Sequence, residues 1–128
     1  MHYIYESIIV GIYTCIIYAL ISPILYKVHL IILFFVVGFI KHLFGYYLSI
    51  HEYYCKYKYD VIKSYNKNII RESILEGGLF IIVGYIVALY LKNKNMLLNV
   101  FIIGALLHII FEIFGMHTKF CHNNIFLN

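Results

Sequence analysis

The chain repeats itself in register, without a gap. Glu6-Ser7-Ile8 recurs as Glu72-Ser73-Ile74, a shift of 66 residues. The same shift carries Gly11 onto Gly77, Gly38 onto Gly104, His42 onto His108, His51 onto His117 and Cys55 onto Cys121. Apolar coincidences come free in a chain that is 63% hydrophobic; matched Glu, Ser, Gly, His and Cys do not. Whatever one half folds into, the other is expected to copy.

Four apolar runs then set the class: Ser7–Leu25, Leu30–Ile50, Ile74–Leu91 and Met96–Met116. Each approaches the ~20 residues that a helix needs to cross the hydrocarbon core. Only 12% of residues are charged, too few to cover a water-soluble domain of this size. No alternating pattern runs through the segments, and in lipid a helix satisfies its backbone within the segment. The expectation is an all-α membrane fold: four transmembrane helices as two tandemly duplicated parallel-repeat helical hairpins in a single membrane domain, 1–128. Repeat 1 covers 6–56, repeat 2 covers 72–122, and 57–71 is an interfacial linker. The connectors Tyr26–His29 and Lys92–Asn95 are short, so each half reads as a tight hairpin. Two helices per repeat insert both repeats in the same orientation, related by an axis along the membrane normal. The leader Met1–Glu6 has no Lys or Arg, so the first run reads as part of the fold and not as a cleaved signal peptide.

Charge sits beside the membrane. The loop over 51–73 is rich in Tyr, Lys and Asn, and much of it is expected to extend the second helix along the interface. Tyr46, Tyr47, Tyr53, Tyr54, Tyr57 and Tyr59 form an aromatic belt there. Its partners are acidic lipid head groups and not nucleic acid. The side with both termini and this loop holds Lys56, Lys58, Lys63, Lys67, Arg71 and Lys119, against Lys27, Lys92 and Lys94 on the other. That bias predicts both termini in the cytoplasm.

The groups able to carry chemistry are also duplicated. His51 and Cys55 are four apart, as are His117 and Cys121, and residues so spaced share a helix face. If the ends of helices 2 and 4 meet, two nitrogens and two sulfurs converge in a set suited to zinc. Glu6, Ser7, Glu72 and Ser73 then serve as outer partners orienting the imidazoles. The plain alternative is a cluster of interfacial anchors, with Glu-Ser pairs capping helix N-termini; in oxidising conditions Cys55 and Cys121 can instead form a disulfide, if their Cα atoms come within about 7 Å. His42 and His108 lie deeper, on faces that also carry Gly38, Gly45 and Ser49 in one half and Gly104, Phe111 and Gly115 in the other. Those faces read as packing seams, with a bis-histidine haem site as the sharper alternative, ranked behind zinc. Lys41, Glu76 and Glu112 are ionisable residues inside the runs and are not duplicated. An intramembrane pair Lys41–Glu112 is expected, with Glu76 reaching interfacial water; His108 and Glu112 also share a helix face, which leaves a His-Glu proton pathway as the alternative.

There is no Cys-x-x-Cys, Gly-rich phosphate loop, nucleophile elbow or His-Glu-x-x-His. Enzyme activity is therefore open only through the His/Cys constellation. The heavy use of Ile, Tyr, Lys and Asn resembles that of small uncharacterised multi-pass membrane proteins of AT-rich large DNA viruses. This resemblance of composition covers the whole chain, implies a host or virion membrane, and identifies no functional residue. Three functions follow in order: a structural or assembly component whose seams pack helices and join homo-oligomers; a zinc- or haem-binding membrane protein; and a small transporter or channel along the pseudo-two-fold axis.

Overall fold

A computed structural model describes residues 2–25, 27–60, 69–92 and 95–121. Lys63 and Lys67 of the linker, and Lys94 and Tyr26 of the connectors, lie outside the described residues. All secondary structure among the described residues is helical: α1 His2–Ile21, α2 Leu30–Tyr47, α3 Ile50–Tyr59, α4 Ile69–Leu91, α5 Met96–Ile113 and α6 Met116–Cys121. The four long helices are long and apolar enough to cross a membrane and make this an all-α membrane fold. Ile9, Ile12, Ile16 and Leu20 on α1 and Ile82, Ile86 and Leu89 on α4 point outward. Such continuous apolar stripes suit contact with lipid.

Local sequence explains the helix ends. α1 stops at Ile21, two residues before Pro23, whose ring cannot continue a helix. α2 and α5 start on side-chain caps 66 residues apart. His29 Nδ1 accepts the Ile31 N–H at 3.2 Å, and Asn95 Oδ1 accepts the Leu97 N–H at 3.1 Å. Both helices also end at a left-handed residue at the same spacing, Ser49 (φ 61°) and Gly115 (φ 71°). The second helix therefore does not run on along the interface, as expected from the apolar run; Ser49 breaks it, and α3 starts afresh. Gly115, expected on a packing seam, is a turn residue instead, with no neighbour where its Cβ would lie.

Packing is closest between the halves. α2 lies chiefly on α4, and α1 on α5. The short connectors had suggested that hairpin neighbours would pack most tightly, and the glycines explain the difference. A Cβ on Gly38 would meet the Gly77 Cα at 2.9 Å and the Phe80 Cβ at 2.8 Å. A Cβ on Gly77 would strike Phe35, one on Gly11 would strike Phe101, and one on Gly104 would strike Thr14. Glycine thus admits a facing helix at both crossings. Between them sits a core of Ile17, Phe34, Val37, Phe80, Val100, Ile103 and Leu107.

A candidate metal centre beside a histidine chamber

Where α3 and α6 fold back over the bundle, a cavity of about 120 Å³ opens among the spans. Four histidines face it, His42, His51, His108 and His117, together with Lys41 and Glu76. The left-handed turns place the outer histidines. After Ser49, His51 doubles back against Gly45, whose missing Cβ leaves room for the ring. Gly45 accordingly accommodates a side chain and not a helix. After Gly115, His117 doubles back in the same way. The His42–His51 and His108–His117 rings lie 4.6 Å apart, centroid to centroid, in both halves.

On the α2–α4 side, Glu76 binds two groups. Its Oε1 accepts from Lys41 Nζ, and its Oε2 lies 2.6 Å from His42 Nδ1. His42 Nε2 faces Glu72 Oε1 at 3.4 Å. This corrects the expected Lys41–Glu112 pair. Lys41 is on the helix that packs against α4, and the Gly38–Gly77 approach brings Glu76 to it. Glu76 is buried, with 4% exposure, and does not reach interfacial water.

On the α5–α6 side a second network forms around Glu112. Its Oε2 lies 2.8 Å from His117 Nδ1 and accepts the Tyr54 hydroxyl at 3.1 Å. Its Oε1 accepts from Lys58 Nζ at 2.8 Å. Lys58 also donates to Glu6 Oε1 at 2.7 Å, and Glu6 Oε1 lies 3.2 Å from His108 Nε2. His108, Glu112 and His117 each offer a ligand atom within 4.8 Å of the others. Burial, only partly offset by Glu112, pushes the His117 imidazole down to about 4. It is therefore neutral at pH 7, with a lone pair for a cation. Burial opposes the charge on Lys58, but bonds to Glu112 and Glu6 outweigh it and raise its pKa.

The sequence-predicted ligand set is rearranged. Cys55 and Cys121 meet, but as a disulfide, with Cα atoms 5.4 Å apart. A disulfide sulfur is not a thiolate, so His51, Cys55, His117 and Cys121 do not form the expected zinc set. The equal depth of the two cysteines is what lets them bond, and both are fully buried. Glu6 and Glu72 do touch imidazoles, but those of His108 and His42, each reaching across to the other half. Ser7 and Ser73 are buried beside them, and the Ser73 hydroxyl has no hydrogen-bond partner among the described residues. Both ring nitrogens of His42 face carboxylates, so neither is turned to a haem iron. Tyr47, Tyr53 and Tyr57 remain exposed in keeping with a belt, whereas Tyr54 turns inward to Glu112.

Three contributors were missed: Tyr54, Lys58 and the ligating side of Glu112. One signal was visible. His108 and Glu112 stand four apart on one helical face, and the Gly115 turn returns His117 to them. Comparison with protein-family models, curated proteins and solved structures finds no match.

Proposed function

We propose that this multi-pass membrane protein binds a divalent transition-metal ion, zinc foremost, at His108, Glu112 and His117. The carrying observation is the convergence of two imidazole nitrogens and a carboxylate oxygen within 4.8 Å at the end of a membrane bundle. Two nitrogens and an oxygen suit zinc and leave a fourth position open. Ionisable groups so placed are costly and mark function by default. The test is direct titration of purified, chelator-stripped protein in detergent with Zn2+. One ion per chain is expected, and His108→Ala or His117→Ala should weaken binding by at least ~100-fold, beyond what loss of an outer partner costs. Unaltered binding in both variants would refute the assignment.

A second reading, a structural or assembly component, is supported by the disulfide that ties α3 to α6 and by the close glycine crossings. Oligomerisation and docking on acidic lipid belong to that reading, as does residence in a host or virion membrane. The tandem duplication belongs to both readings, supported by caps, turns and buried cysteines that recur 66 residues apart. For orientation, loop charge favours termini in the cytoplasm. The disulfide favours an oxidising compartment for the same face, and Lys58 spends its charge inside the bundle. We take the second. Glycosylation-acceptor tags on either terminus decide: modification in a eukaryotic secretory membrane supports it, and its absence at both termini refutes it.

A further inference from the structure

Lys58 sits beside the candidate metal group, on carboxylates that would attract a cation. Its ammonium bridges Glu6 Oε1 at 2.7 Å and Glu112 Oε1 at 2.8 Å. Each carboxylate in turn touches one imidazole, Glu6 that of His108 and Glu112 that of His117. The groups form a chain, His108–Glu6–Lys58–Glu112–His117, closed by the contact of the two tilted imidazole rings. Remove the ammonium, and Glu6, already 3.2 Å from His108 though outside the His108–Glu112–His117 group whose ligand atoms lie within 4.8 Å of one another, is the carboxylate free to swing in.

We propose that Lys58 is a tethered competitor of the metal, and that a divalent ion binds by displacing its ammonium and recruiting Glu6 as fourth ligand. The inference rests on the metal reading of His108, Glu112 and His117 and adds to it a ligand and a control. Tetrahedral zinc with bonds of ~2.0–2.1 Å separates its ligands by about 3.3 Å. Glu6 Oε1 and His108 Nε2 stand 3.2 Å apart, and Glu112 Oε2 and His117 Nδ1 stand 2.8 Å apart. Each pair is near that spacing, and Glu6 has to swing toward Glu112 and His117 once the ammonium leaves, since it lies outside the 4.8 Å group. A divalent ion also brings one more positive charge than the ammonium it replaces, between two carboxylates that attract it.

The exit is built in. The side chains of Lys58, Glu6 and Glu112 retain 18%, 16% and 20% exposure, unlike the deeply buried Lys41–Glu76 pair. Lys58 is therefore a rim residue, and its flexible stem can swing the ammonium out to water or to lipid head groups. Cys55, one helical turn earlier, stays fastened to Cys121. Displacement thus moves a side chain and leaves α3 in place.

The experiment uses the full chain in detergent with Zn2+ as the probe. Lys58 is modified with an amine-reactive reagent, and its rate is read by mass spectrometry with and without saturating Zn2+. Release of the ammonium should raise the rate at least fivefold. Binding constants are measured alongside. Lys58→Met should bind Zn2+ at least ~10-fold tighter, Lys58→Arg should not, and Glu6→Gln should bind at least ~10-fold more weakly, as loss of a metal partner does. If wild-type protein binds Zn2+ while the Lys58 rate is unchanged or falls, the competitor proposal is overturned and the three-residue site stands. If neither wild type nor Lys58→Met binds Zn2+, the metal reading itself is overturned. Should Lys58→Met fail to fold, the labelling measurement on the wild-type chain decides by itself.

Discussion

Lys41 and Glu76 offer the sharpest test of the packing. Their side chains are 11% and 5% exposed, and His42 holds the second carboxylate oxygen. At about 3 Å and an effective dielectric near 20, the mutual attraction is about 5–6 kcal/mol. Desolvating the two ions costs several kcal/mol each, so the pair as a whole is close to neutral. Removing one member is different, because a buried charge is left behind. Lys41→Met should therefore destabilise by about 3–5 kcal/mol, and Glu76→Gln by a similar amount. The double variant Lys41→Met/Glu76→Gln should recover most of one single loss, a coupling of about 2–3 kcal/mol. Reversible unfolding in mixed micelles, followed by circular dichroism, supplies the four free energies. A parallel cycle with Lys41→Met and Glu112→Gln should be additive within ~0.5 kcal/mol, because Glu112 is bound to Lys58 and His117. Additivity for Lys41 with Glu76, or coupling for Lys41 with Glu112, would refute the α2–α4 placement of the pair.

Three further outcomes follow from the backbone and the disulfide. Ser49 holds a left-handed conformation that costs a non-glycine residue about 1–2 kcal/mol. Ser49→Gly should therefore raise the melting temperature in detergent, and Gly115→Ala at the equivalent turn should lower it. Gly38→Ala sets a methyl against the Gly77 and Glu76 backbone, and overpacking of about 1–3 kcal/mol should appear as a lower melting temperature. Reduction of Cys55–Cys121, or Cys55→Ser, releases a 66-residue loop and should cost about 2–4 kcal/mol. Equal melting temperatures with and without reductant would argue that the bridge is absent.

The helices were legible because lipid leaves a chain few choices. Length, apolar character and the lack of alternation point to four spans, and four long apolar helices are found. The neighbour relations were not legible. Short connectors favour contacts within a hairpin, but contact area is decided by how closely two helix axes can approach. That is a property of Gly11, Gly38, Gly77 and Gly104 acting in pairs from different halves. A glycine in one helix announces that something comes near, not what. The partner of Lys41 depended on the answer, and Glu112 was the wrong one.

The site was half legible for a related reason. The spacing of His51, Cys55, His117 and Cys121 implied equivalent places for the two cysteines, and they meet at 5.4 Å between Cα atoms. Depth does not choose between a shared zinc ion and a sulfur–sulfur bond, since both need the same proximity. The four-residue steps survive, His51 to Cys55 within α3 and His117 to Cys121 within α6, but the sequence did not show where those helices are aimed. Ser49 and Gly115 break the helix just before His51 and His117. Each of these histidines is thereby brought back against the deeper histidine of its own half, at 4.6 Å in both cases. The other half supplies Glu6 and Glu72. What then separates the two histidine pairs is the carboxylate that meets each: Glu76 meets His42 and is also held by Lys41, whereas Glu112, at the position that is Tyr46 in the other half, meets His117. Glu112 is the carboxylate that stands with both His108 and His117 in one ligand group, and it occupies a position where the 66-residue correspondence breaks.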